Sequence, residues 1–385
     1  MTLYAQHGYG KADKLDILSA AGRIDGVVLS PADEGSDALA RTVRDSNESG
    51  ISTLLDPQTY VHSIADAVAR CHGDHGLAFA PTTWGSLSAI DIQGQARAVV
   101  DANDRIGTRG PIIAPGPRQL SFADPWTPFA HQYARATLAE TTRPVLASLV
   151  IEEAGLGDWN AVEQWLDTAT TLDVAGFYVV IGRHGAYPIA WDTTLLANLL
   201  RLIYRLGILN DYTIGVGYAD ISGLAAIAAG ATWIGSGWSY RQRQFVTERW
   251  IPRRGGQQAI PRVTSYGLLA PLLGLGEGQA SARSALGDRV LPDPQLRRRI
   301  ITNPDGWSNP EAQIQYLETL SVLVAQVEGF GSIADRIEGL QENVARARAL
   351  TLELSRAGVR IDTVHTTSLV AISGALASLR RLETI

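Results

Sequence analysis

The chain has one cysteine, Cys71, and two lysines, Lys11 and Lys14, among its 385 residues. A single thiol excludes an intrachain disulfide and any four-cysteine zinc site. With so few lysines, a catalytic amine must be one of those two, because every other basic residue apart from histidine is arginine. No apolar run approaches the roughly 18 residues that a membrane helix needs. The opening stretch, MTLYAQHGYG, has neither the basic nor the apolar region of a secretory signal. These absences predict a cytoplasmic protein with no membrane partner. Charge of one sign is not dominant either: the formal net charge is −6 with 45% apolar residues, an ordinary globular balance. Such a chain is not an obvious nucleic-acid binder. Internal repeats and low-complexity tracts are both lacking.

What is present is alternation. Strands are expected at 3–7, 26–29, 52–55, 111–114, 145–151, 176–181, 213–216 and 232–235. They read as continuous apolar runs, as parallel strands covered on both faces should. Helices are expected at 11–21, 36–48, 60–71, 129–141, 160–172, 192–206 and 221–229. Eight alternating pairs predict an α/β fold, a (β/α)8 TIM barrel over residues 1–250, with a C-terminal helical extension. The longest departure is 73–109, where Pro81, Trp84 and Gly85 suggest a loop across the barrel mouth and 93–106 a helix. Residues 251–308 read as an Arg-rich, irregular connecting segment; eleven arginines fall within 241–300. Residues 309–385 read as a helical module, with helices at 310–327, 332–357 and 363–382, Asn309 and Ser332 as N-caps and Gly358 as a stop.

In such a barrel the active site lies at the C-terminal strand ends, on the βα loops. Asp33, Ser36 and Asp220 fall there but read as helix N-caps. Asp56, in Leu-Leu-Asp-Pro-Gln, is followed by a proline that weakens a capping role. Alternation sends one of Glu152 and Glu153 into the mouth. Carboxylates facing each other across a barrel top suit acid/base or nucleophilic work at a glycosidic centre. Asp56, Glu152 and Glu153 are therefore the expected catalytic carboxylates, with Lys11 and His7 beside them. The Gly-rich turn that carries Lys11 could also hold an anion at a helix start. Cys71, His72 and His75 have metal-binding chemistry, but their spacing leaves a third ligand far away, so no metal is expected. No lysine lies in the sixth strand, which excludes Schiff-base aldolase and pyridoxal chemistry; no cofactor is expected.

The stretch 212–240, YTIGVGYADISGLAAIAAGATWIGSGWSY, resembles the seventh and eighth βα units of phosphate-binding barrels. By that resemblance Gly217, Gly235, Ser236 and Gly237 would let backbone N–H groups approach a phosphate. Trp238, Arg183, His184 and Arg241 complete the expected substrate-binding set. Tyr218 and Trp238 are bulky for such a site and suit stacking on a ring, which makes the expected ligand nucleotide-like. The Leu-Leu-Asp strand end, the glycine-rich later strands and the arginines after them resemble the queuine-type transglycosylase barrels. The cysteine-rich zinc site of those enzymes has no counterpart here. The leading expectation is glycosyl transfer or hydrolysis on a phosphorylated or nucleotide-like substrate. One alternative is a sugar-phosphate lyase or isomerase, with Asp56 or Glu152 as base and Lys11 as electrophile. The other is a scaffold that binds a protein, or a nucleic acid through the 241–300 arginines. The C-terminal helices suit a homo-oligomer contact.

Overall fold

The computed structural model describes residues 2–79, 87–252 and 260–385. Nine short strand segments lie in one parallel sheet: β1 (Leu3–Gln6), β2 (Gly26–Leu29), β3 (Ser52–Leu55), β4 (Ile112–Ile113), β5 (Arg118–Gln119), β6 (Val145–Glu152), β7 (Gly176–Gly182), β8 (Thr213–Gly217) and β9 (Trp233–Ser236). Their order is β3-β2-β1-β9-β8-β7-β6-β4, with β5 also on β6. Ile112 pairs with Val145 and Arg118 with Val150, so six residues run beside five and the fourth stave carries one extra residue. The result is a nearly closed TIM-like barrel of eight staves, alternating with helices as the sequence predicts.

The ends of the sheet, β3 and β4, meet without a ladder. Local bonds close the seam instead. The Gly110 N–H donates to Thr53 O (3.3 Å). Higher up, Thr59 Oγ1 accepts from the Gly116 N–H (3.1 Å) and donates to Gly116 O (3.3 Å).

Large rings fill the barrel interior. Tyr4 packs on Trp233 (4.7 Å between centroids), and Trp233 stacks on Tyr178 (5.8 Å). Glycines on neighbouring staves give these rings their space: a Cβ on Gly26 would meet the Tyr4 ring, and one on Gly215 the Trp233 ring.

The helices that alternate with these strands along the chain are α1 (Lys14–Ala20), α2 (Ser36–Glu48), α3 (Ala89–Ile106), α4 (Thr127–Glu140), α5 (Trp159–Ala169), α6 (Thr193–Tyr204) and α7 (Gly223–Ala228). One expectation fails. Residues 60–71 form no α-helix; they hold a 3-10 turn, Thr59–Ser63, entered through Gln58 at a left-handed φ of 53°. Tyr60 and Val61 are both drawn into the core at the barrel top, and Tyr60 is held there by its bond to Asp56. The helix after the third stave is α3, opened by a Ser88–Asp91 capping box. The expected loop at Pro81, Trp84 and Gly85 lies outside the described residues. The expected caps also differ: α2 is preceded by Gly35 and α7 by Ser222, so Asp33, Ser36 and Asp220 cap neither.

The chain divides into two compact units. The first, 1–185, 202–220 and 230–253, holds all nine parallel strands. The second gathers 186–201, 221–229 and 254–385. Within it, the stretch expected to be irregular carries an antiparallel ribbon, β10 (Arg262–Ser265) with β11 (Ala270–Leu273), and three short helices, α8 (Gln279–Arg283), α9 (Gly287–Val290) and α10 (Pro294–Thr302). The Gln315 side chain extends the ribbon, accepting from Thr264 N and donating to Thr264 O (both 2.8 Å). Three long helices follow: α11 (Asn309–Glu328), α12 (Ile333–Arg356) and α13 (Thr363–Leu382). Ser308, rather than Asn309, caps α11, and Ser332 caps α12 as expected. Arg201 in α6 pairs with Glu383 after α13 at 2.9 Å, both side chains buried.

Candidate functional site

The polar residues at the strand ends fall into separate groups. Asp56 follows β3 directly and is fully buried. Its Oδ1 accepts from the Gln58 N–H (3.1 Å), an Asx-type turn that the intervening proline permits. Its Oδ2 accepts from two phenols, Tyr60 (2.7 Å) and Tyr178 (3.2 Å). The network continues through Gln58 Nε2 to the Tyr218 hydroxyl (2.9 Å) and from Ser30 Oγ to Gln58 Oε1 (2.9 Å). Burial pushes the Asp56 carboxyl up to about 6, against the two phenols, the Gln58 N–H and the charge of Arg249. Burial likewise raises Tyr218 to about 12.

The chain after the last stave folds over this group. Phe245 packs edge-on against Tyr60 (5.2 Å) and Tyr218 (5.5 Å). The Arg183 N–H donates to Phe245 O (2.9 Å), and the Val68 N–H to Trp250 O (2.9 Å). Arg249 lies over the rings of Tyr218 and Trp250 and binds Asp33 at 2.6 Å. Asp33 thus pairs with a buried arginine instead of capping a helix.

The second group ends β6 and β7. Glu152 is buried; Arg118 Nε donates to its Oε1 (2.5 Å), and His184 Nε2 lies 2.9 Å from its Oε2. Glu153 takes Arg183 (3.1 Å). Asp56 and Glu152 share no hydrogen-bond partner among the described residues.

The third group surrounds Glu34. His7 Nε2 stands 3.5 Å and Lys11 Nζ 3.9 Å from its carboxylate. The His7 ring is the main cause that holds this carboxyl below its usual range. Lys11 also donates to Thr42 Oγ1 (2.5 Å), while Lys14 turns back on its own loop to Gly10 O (2.6 Å).

The glycine-rich stave ends are packed from within. A Cβ on Gly235 would lie 2.9 Å from Gln6 Oε1, and one on Gly237 2.2 Å from Gln242 Cβ. Ser236 is buried, and so is Trp238, whose Nε1 donates to Tyr9 O (3.1 Å). Arg241 is exposed and gives its carbonyl to Arg249. The histidines near Cys71 separate: His72 Nδ1 meets His62 Nε2 (3.0 Å), and His75 Nε2 meets Glu34 O (2.8 Å). Among the described residues, no group of three or more metal-ligating side chains could hold an ion. A cavity of about 480 Å³ lies against α4 and α5, lined by Asp124, His131, Arg135 and Trp165 and by none of the strand-end candidates.

Sequence reasoning did not single out Tyr60, Tyr178 or Arg249. A tyrosine inside a barrel strand beside a glycine-bearing strand was the available signal for Tyr178. Of the arginines expected to face a partner, Arg289 pairs with Glu353 and Arg299 with Glu311. Arg243, Arg262 and Arg283 donate to backbone carbonyls. No helix of the described residues is long and apolar enough to cross a membrane. No protein-family model matches the chain, and no curated protein sequence does.

Proposed function

We propose that this chain is a barrel enzyme that binds a phosphorylated or nucleotide-like substrate at the strand ends and carries out carboxylate-based glycosyl transfer or hydrolysis. The observation that carries this reading is Asp56. This acid is buried, raised to about 6, and held by two phenols. A carboxyl poised near neutrality can take or give a proton at working pH, which is what departure of a glycosidic group requires. Arg118 and His184, at the ends of the fourth and sixth staves, supply groups for an anionic substrate.

The scaffold alternative has less support, because the arginines named above are engaged within the chain. The lyase or isomerase alternative needs Lys11 as electrophile, and its ammonium is taken up by Thr42 and Glu34.

The test is a panel of nucleosides, nucleotides and sugar phosphates incubated with the full chain, with released base or sugar read by chromatography. Product from one class, lost in Asp56→Asn, is the expected result. No product from any member, together with no thermal stabilisation by any, would sink the enzymatic reading.

A further inference from the structure

The two acids at the end of β6 are shared out unequally. Glu153 is taken by Arg183, which leaves Glu152 facing both Arg118 and His184. Each of those two uses only one nitrogen on Glu152. Among the described residues, the terminal nitrogens of Arg118 and Nδ1 of His184 have no partner. The guanidinium side chain is 19% exposed and the imidazole 62% exposed, while the carboxylate between them is 7% exposed.

Their placement is fixed from behind. A Cβ on Gly182 would stand 2.5 Å from Glu152 Oε1, so the glycine opens the space in which the carboxylate lies. The segment carrying His184 is tied by the Arg183 N–H to Phe245 O (2.9 Å) and by Gln244 Nε2 to Gly185 O (3.2 Å). A guanidinium whose terminal nitrogens have no partner among the described residues matches the paired oxygens of a phosphate, and His184 Nδ1 adds a third polar atom. Over Gly217, Gly235 and Gly237 the corresponding space is filled by Tyr178, Gln6 and Gln242.

We propose that Arg118 and His184, aligned on the two oxygens of Glu152, bind the substrate's phosphate, at the fourth to sixth staves rather than the seventh and eighth. This rests on the reading that the substrate carries such a group. Glu152 is then a positioning residue, not a catalytic carboxylate.

The probe is inorganic phosphate, titrated into the full chain carrying nitrogen-15 histidine while the His184 ring resonances are followed. A saturable movement is expected, with affinity at least about tenfold weaker in Arg118→Gln, where the fork is lost. If that variant fails to fold, Arg118→Lys keeps the charge without the fork and is expected to bind more weakly than the native chain. His184 resonances that phosphate leaves unmoved would overturn the proposal. So would a movement that persists undiminished in a folded Arg118 variant. Phosphate binding at His184 with no product from any substrate would remove the enzymatic reading and leave the fork standing. Turnover of a phosphorylated substrate with KM unchanged in the Arg118 variant would do the reverse.

Discussion

A Cβ built on Gly217 would lie 2.2 Å from the Tyr178 hydroxyl. The glycine that ends β8 makes room for a phenol on β7, and that phenol reaches Asp56. The same motif that resembles a phosphate cradle is thus required by the packing of the barrel interior.

Gly217→Ala forces this contact apart in a filled core. We expect a loss of about 1–3 kcal/mol, the usual range for overpacking, read as a fall in thermal melting temperature. An unchanged melting temperature would mean that the Tyr178 ring shifts freely.

Asp56→Asn removes a charge that burial disfavours while keeping an acceptor for the Gln58 N–H and a polar partner for the phenols. Its stability at pH 7 should change by less than about 1 kcal/mol. Activity should fall by about two to four orders of magnitude. A collapse in stability would make Asp56 a structural hydrogen-bonder and remove it from the mechanism.

Acid should destabilise the fold through its histidines. Burial pushes His62 down to about 4 and His72 to about 3, from an ordinary value near 6.5. Between those limits the unfolded chain binds protons that the folded chain refuses, so stability falls as pH drops from 7 towards 4. Asp56 acts in the opposite sense. Raised to about 6, it holds a proton in the fold that the unfolded chain releases down to about 3.8. Denaturant unfolding across this range should therefore show a steeper acid loss in Asp56→Asn than in the native chain.

In the second unit, Glu383→Ala removes the carboxylate that lies 2.9 Å from Arg201. A cost of about 1–3 kcal/mol is expected, with a smaller one for Glu383→Gln. Calorimetry of both variants checks the order; equal effects would mean that the charge is immaterial.

Much of the fold was legible because each barrel strand is a short apolar run between turn signals. The runs at 26–29 and 52–55 coincide with β2 and β3. The stretch 60–71 misled because its apolar residues suit a helix locally, while Tyr60 is held by a bond to Asp56 and by rings far along the chain. The network itself was not legible. Tyr178 is 122 residues from Asp56, and Tyr218 is 160 residues from Gln58. Strand-end position made Asp56, Glu152 and His184 candidates; only the fold decides which neighbour each one meets.

The seam beside Asp56 has a dynamic consequence. A ring of strands opens most cheaply where its ladder is missing, and here Gly110, Thr53, Thr59 and Gly116 hold the join with three hydrogen bonds. Hydrogen exchange should reveal the Gly110 and Gly116 amides trading with solvent faster than those of the β6–β7 ladder, through sub-global openings rather than whole-chain unfolding. Such an excursion parts the third stave from the fourth at the end where Asp56 sits. The weakest join in the ring is then also a route by which solvent reaches its most deeply enclosed acid.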